Sequence, residues 1–458
     1  MPATEFRAAW IATVANTDWP SRPGLPAAQA QRELAAIVDE AAALHLDALV
    51  FQVRPAGDAL YDSPIEPWSE WLTGAQGRAP EVAWDPLQFL IEHAHPRGIE
   101  VHAWFNPFRA RHEAARSPED ARHVAAKLPD ACVRYGKFVW MDPGDERAVD
   151  WTLRVIADVV RRYDVDGVHL DDYFYPYPEQ KQQFADDRSF LRYQRGGGKL
   201  ARDDWRRANI DGFLQRLYAA VHAQKPCALV GISPFGIARP GMPRGISAGI
   251  DQYDQLYADV LGWLRQGRCD YLAPQLYWPI DQKAQSFAAL LPWWAGQNPL
   301  HRHLWPGLYA SRAAEGKAPW RVDEIPQQVQ MIRALGPDPG HLLFSMRALH
   351  GELGEQLQRA YPTPAVVPAS PWLPGDAPAL PAARAERAAA GPRVSWQAQA
   401  DARKFVVQVQ NGGRWHTFAV RGAGDGSLAL PDDATAAAVR AQGRNGLCGP
   451  ARVCPLGP

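Results

Sequence analysis

Two carboxylates stand side by side in Asp166-Gly167-Val168-His169-Leu170-Asp171-Asp172-Tyr173-Phe174-Tyr175-Pro176, at the end of an apolar run and ahead of aromatic residues. The run reads as a strand, so Asp171 shares a face with His169, while Asp172 belongs by parity to the other face unless the strand has already turned. Like charges this close and partly desolvated push one pKa upward, the condition for an acid that stays protonated near neutrality. Hydrolysis of a glycosidic bond needs such an acid. It also needs an ionised carboxylate across the bond, about 5 Å away for retention or roughly 6.5 to 9.5 Å for inversion. Adjacent residues on one strand end seldom straddle a bond in that way. The partner is therefore sought on other loops, with Asp18, Asp58, Glu66, Glu70 and Glu179 as candidates.

Elements must bring these groups together. From residue 5 to about 360, short β-branched or aromatic runs alternate with longer amphipathic stretches, the pattern of repeated β-then-α units around a parallel sheet. Strands are expected at 6–13, 48–54, 99–106, 167–172, 229–234, 271–277, 304–309 and 342–347, with helices at 28–45, 86–95, 146–163, 205–222, 255–265 and 324–335. Eight units fit a (β/α)8 barrel, whose active sites lie at the C-terminal ends of the strands. Alternation sends Gln52 and Arg54, His102, Trp104 and Asn106, His169 and Asp171, Ser233, Gln275 and Tyr277, and Ser345 and Arg347 inward near those ends. Trp68 and Trp71 in the long loop after the second strand join Trp104, Tyr173, Tyr175, Tyr277 and Trp278 as expected walls of a sugar-binding groove, because pyranose rings stack on aromatic faces.

Composition narrows the partners. Of 458 residues, 47% are hydrophobic and 22% charged, and 49 Lys+Arg against 50 Asp+Glu leave a net charge of -1. That is globular composition, and it argues against nucleic acid or an anionic membrane as the main partner, both of which reward a basic surplus. No apolar run approaches the roughly 18 residues of a membrane span. The first residues show neither a basic nor an apolar leader region, so either a cytosolic protein or a chain whose leader has been removed is expected. Residues 362–392 hold eight Pro and read as a linker, and 393–458 alternate in period two around Asn411-Gly412-Gly413, as a small β-sandwich would. Cys132, Cys227 and Cys269 read as core residues. Cys448 and Cys454 lie close enough in sequence to bridge a C-terminal loop, a weak pointer to an oxidising compartment.

Several segments together carry a family pattern: Arg7-Ala8-Ala9-Trp10-Ile11-Ala12-Thr13-Val14 with Asn16 and Asp18-Trp19-Pro20, Phe51-Gln52-Val53-Arg54-Pro55 with Asp58 and Tyr61, and Trp71-Leu72-Thr73-Gly74 with Gly77. Asp85-Pro86-Leu87, His102-Ala103-Trp104-Phe105-Asn106-Pro107, Asp142-Pro143-Gly144 and the 166–176 block continue it. In this order they resemble the bacterial glycosyl-hydrolase-like family ten. The resemblance implies a (β/α)8 glycosidase of the cell envelope, periplasmic or extracellular and often a lipoprotein. Its implied substrate is a polysaccharide, peptidoglycan glycan strands stripped of their stem peptides, and no cofactor or metal is expected. It implies Asp171 and Asp172 as catalytic acids, and Arg54, Asn106, His169, Gln275 and Tyr277 as site residues. With the linker between them, the domains are expected at 1–361 and 393–458, and the resemblance implies that the second is fibronectin type III-like, since such a module occurs in relatives. One departure is Ala238, where an aromatic residue, usually Trp, is expected; if that residue stacks on a sugar in relatives, a missing subsite or weaker binding is expected here. Two alternatives stand beside this reading: a glycan-binding protein without chemistry, and a metal-dependent hydrolase using His102, His169 and Asp171 as ligands.

Overall fold

The structure, a computed structural model, describes residues 2–179 and 182–457. Nine parallel strands form one curled sheet: β1 (Phe6–Ile11), β2 (Ala48–Arg54), β3 (Glu100–Phe105), β4 (Gly167–Leu170), β5 (Leu229–Ile232), β6 (Tyr271–Leu272), β7 (His303–Leu304), β8 (Gly307–Leu308) and β9 (Gly340–Leu343). Their order is β7-β6-β5-β4-β3-β2-β1-β9-β8. The two ends of the sheet, β7 and β8, are halves of one stretch of chain interrupted at Trp305-Pro306, so the sheet curls round into a barrel.

Helices pack outside because their sequences supply both an apolar stripe and a start signal. The helix Glu146–Arg162 begins at Asp145, whose side chain accepts from Arg147 N, buries Val149, Trp151, Val155, Ile156 and Val159, and ends on Arg161 and Arg162. Pro86–Ala94 starts the same way from Asp85, with Pro86 in its first turn. The strand faces divide as alternation requires. Leu49, Phe51, Val101, Ala103, Val168 and Leu170 join the outer core under the helices. Ala8, Trp10, Val50, Trp104, Tyr271 and Leu342 fill the interior.

The C-terminal unit is an antiparallel sandwich. Strands β10 (Ala383–Ala388), β11 (Gly391–Trp396), β12 (Lys404–Asn411), β13 (Arg414–Gly422), β14 (Gly426–Ala429), β15 (Ala436–Gln442) and β16 (Arg452–Pro455) split into sheets of order β10-β11-β14 and β13-β12-β15-β16. The hairpin at Asn411 forms, with Gly412 and Gly413 at φ 53° and 76°, both in the left-handed region that a two-residue turn of this kind demands.

Two expectations need correction. Residues 362–392 are not a free linker: β10 lies within them, and Val367 and Leu373 are buried in the barrel interior cluster. The segment is laid across the barrel floor, the N-terminal end of the strands, where Val366 exchanges backbone hydrogen bonds with Ala3 and Glu5 and the prolines around it fall outside the paired position. Cys448 and Cys454 are free thiols. Cys448 bridges to Gln442 and Cys454 pairs with Ala437, five positions apart on β15. At about 3.4 Å per residue that offset exceeds the reach of a disulfide.

Candidate active site

Strands β3 and β4 deliver the centre side by side. Asp171 directly follows β4, and its Oδ2 accepts from Trp104 Nε1 at 3.0 Å and Asn106 Nδ2 at 3.1 Å, while Tyr173 N donates to Oδ1 at 3.3 Å. The residue is 3% exposed. Burial, opposed by Arg109 and reinforced by Asp172, pushes its carboxyl up to about 7. Asp172 escapes the parity argument because β4 ends at Leu170 and the chain has turned. It accepts from the Tyr177 hydroxyl and the Gln275 side chain. Burial raises its carboxyl as well, and these donors pull it back. The loop carrying the pair is pinned from the insertion after β3, where Trp140 Nε1 donates to Phe174 O at 2.8 Å.

Half-buried aromatic residues surround the pair. Tyr173 lies under the Arg109 guanidinium, Tyr277 stacks on Tyr309 with centroids 4.8 Å apart, and Trp278 meets Phe235 edge-on at 5.6 Å. Gln275 is half-buried and donates to Ser233 O at 2.9 Å. Arg347 is exposed at the rim, where its N–H donates to Asp18 Oδ1 at 3.1 Å and Nη1 to Thr17 O at 3.2 Å.

Beneath the pair runs a closed polar chain. Trp10 Nε1 donates to His169 Nε2 at 3.1 Å, which leaves the proton of this neutral imidazole on Nδ1, facing the Tyr271 hydroxyl at 2.9 Å. Burial holds His169 well below its ordinary pKa. The hydroxyl in turn reaches His102 Nδ1 at 2.9 Å, and His102 Nε2 faces Glu100 at 3.4 Å. Gly231 makes room for this: a Cβ there would lie 1.9 Å from Tyr271 Cζ.

Several expected site residues therefore serve the scaffold. His169 has no exposure, and its ring belongs to the interior chain. With His102 also engaged, the donors of the metal alternative do not converge; among the described residues, no group of three or more His, Cys, Asp or Glu could hold a metal ion. Arg54 is enclosed, paired with Glu66 at 2.6 and 2.7 Å and donating to Asn106 O at 2.8 Å and Pro107 O at 3.0 Å, so it holds the loop bearing Asn106. Asp58 turns into its own loop, accepting from Ala56 N at 3.0 Å. Tyr175 is packed among Phe184, Tyr257 and Arg206. Trp68 and Trp71 are buried, Trp71 against His112. Ala238 is buried in the outer core, so its small side chain opens no surface at the mouth.

The other carboxylates divide similarly. Glu66 is taken by Arg54, Glu70 accepts from Arg116 N and Ser117 N at 2.8 and 2.9 Å, and Glu179 is exposed. Asp18 remains half-buried at the rim. Sequence reasoning missed Arg109 and Tyr177. The signal for Arg109 was a basic residue following Asn106-Pro107-Phe108 directly after an inward strand end.

A family profile described as Glycosyl hydrolase-like 10 matches residues 5–330. The chain belongs to the glycosyl hydrolase-like 10 family. Glycosyl hydrolase YngK of Bacillus subtilis (strain 168) is 37% identical over 392 residues, covering 82% of this chain and 76% of that protein. Glycosyl hydrolase DigH of Escherichia coli (strain K12) is 33% identical over 368 residues, covering 74% of this chain and 82% of that one. Among solved structures, the catalytic domain of beta-amylase from Paenibacillus polymyxa superposes with a TM-score of 0.50 at 10% identity, covering 79% of this chain and 99% of that one, a likeness of fold alone. Family membership puts this chain among the glycoside hydrolases.

Proposed function

We propose that this glycosyl hydrolase-like 10 protein cleaves bacterial cell-wall polysaccharide, namely peptidoglycan glycan strands lacking stem peptides, with Asp171 as general acid. The observation carrying the assignment is the Asp171 carboxyl, enclosed at the mouth, oriented by Trp104 and Asn106, and pushed up to about 7. Asp172 is its neighbour and cannot sit across the scissile bond. We assign it to orienting the substrate's 2-acetamido group, whose oxygen serves as nucleophile in substrate-assisted glycosidases. In that scheme the acetamido oxygen attacks C1 as Asp171 protonates the leaving oxygen. Asp171, now ionised, then takes a proton from the water that opens the cyclic intermediate, and configuration is retained. Tyr173, Tyr277 and Trp278 offer stacking faces. The eight strand positions of the curled sheet support a (β/α)8 description. The strand orders 1-2-5 and 4-3-6-7 support a fibronectin type III-like module, and an envelope location suits the substrate.

Release of reducing ends from denuded strands tests this. Wild type is expected to cleave them, and Asp171→Asn to lose roughly 10²- to 10⁴-fold. A wild type that sediments with the glycan yet releases nothing would leave a binding protein. Cleavage of de-N-acetylated strands, or an inverted product anomer, would overturn the assignment of Asp172.

A further inference from the structure

Arg109 sits in the mouth with much of its hydrogen-bonding capacity unspent. Its backbone N–H donates to Asn106 Oδ1 at 2.9 Å, its Nε donates to Pro55 O at 3.0 Å, and its guanidinium lies 5.1 Å from the centroid of Tyr173. These contacts fix the plane of the group. The residue is 4% exposed, yet among the described residues neither Nη atom has an acceptor, and neither is sealed from solvent. Asp171 and Asp172 feel its charge, but no carboxylate oxygen of either lies within the 4.0 Å of an ion pair. Arg54 is the contrast: equally deep, it spends its guanidinium on Glu66 and two carbonyls. A cation held this rigidly with an open donor edge is available to a ligand that can replace the water there.

We propose that Arg109 is a specificity residue whose Nη edge pairs with a carboxylate on the sugar bound beside Asp171 and Asp172. The inference rests on the glycosidase reading. A planar guanidinium held flat against a tyrosine matches a carboxylate bidentately. On a peptidoglycan strand the muramic sugar carries one such group, its lactyl carboxylate, which is capped as an amide while the stem peptide is attached and is free once the peptide is gone. Arg109 thereby gives a physical reason for choosing denuded strands: the free carboxylate completes the cation, whereas an amide or a neutral sugar leaves it unpaired.

The test uses one glycan preparation in two forms, denuded strands with free carboxylates and the same strands with those carboxylates condensed with methylamine. Wild type is expected to favour the free form by roughly ten- to a hundredfold in kcat/KM, mainly through KM. In Arg109→Met that ratio falls towards one, and Arg109→Lys keeps part of it; thermal unfolding of both variants checks that they fold. Equal cleavage of the two forms by wild type overturns the proposal, as does a wild-type ratio in Arg109→Met. A shifted pH profile without a change in the ratio does so as well, and assigns Arg109 to tuning the acid pair. If wild type cleaves neither form, the glycosidase reading fails. The ratio of binding to the two forms, read by sedimentation, then judges Arg109 separately.

Discussion

Asp171 is held in a conflict that the proposed acid role requires. Trp104 and Asn106 give it donors, but burial beside Asp172 outweighs them and keeps the proton on up to about pH 7. Cleavage should therefore fall as pH rises through about 7, which a pH–kcat profile would read. Stability carries the same sign. The folded carboxyl binds its proton more tightly than the unfolded one, so between about pH 4 and 7 stability falls with rising pH, and the penalty is complete above 7. Asp171→Asn removes that penalty. It should raise the unfolding free energy at pH 8 by at most about 4 kcal/mol, read from denaturant unfolding, while lowering cleavage by roughly 10²- to 10⁴-fold. At this scale the acid pair was legible in the sequence, because adjacent carboxylates at a strand end have few structural uses. Arg54, Asp58, His169 and Tyr175 were not separable from substrate contacts. An inward polar residue looks alike in sequence whether its partner is a sugar or, as for Arg54, a glutamate twelve residues along the chain.

At the scale of elements, one buried arginine at the end of β2 joins two loops. Arg54 holds Glu66 of the loop after β2 and donates to Asn106 O and Pro107 O of the loop after β3, and Trp151 of the helix Glu146–Arg162 donates to the same Glu66 at 2.7 Å. Glu66→Gln leaves a buried guanidinium uncompensated and should cost about 3–5 kcal/mol in urea unfolding, with a parallel loss of kcat as Asn106 loosens. Strand ends were read too long: the expected 271–277 contains only Tyr271–Leu272 as strand. Polar alternation continues past Leu272 because the chain keeps pairing in isolated bridges, Gln275 with Phe235 on one side and Gly307 on the other, with Gln275 N donating to Pro234 O at 3.0 Å. Strand β10 was missed because Ala383-Arg384-Ala385-Glu386-Arg387-Ala388 has weak β propensity, and its order comes from pairing with β11.

Across the whole molecule, the sandwich docks on the barrel floor, at the end opposite the mouth. Lys404 Nζ meets Glu100 Oε1 at 2.8 Å, Arg403 meets Asp166 at 2.5 Å, and Gln442 Nε2 donates to Val367 O at 2.8 Å. Val367 and Leu373 plug the interior, so Leu373→Ala should cost about 2–5 kcal/mol, measured by denaturant unfolding, and a chain cut at residue 361 should fail to fold cooperatively. The family match stops at residue 330, before β9, the strand that joins β1 to β8. The profile thus ends short of the unit that folds, whereas the likeness to YngK, which covers 82% of this chain, runs past residue 330. The floor contact also gives the molecule a direction. Anything that grips the sandwich grips the barrel from behind, so an anchor at the C-terminal unit would leave the opening pointing outward, towards strands that approach from the far side.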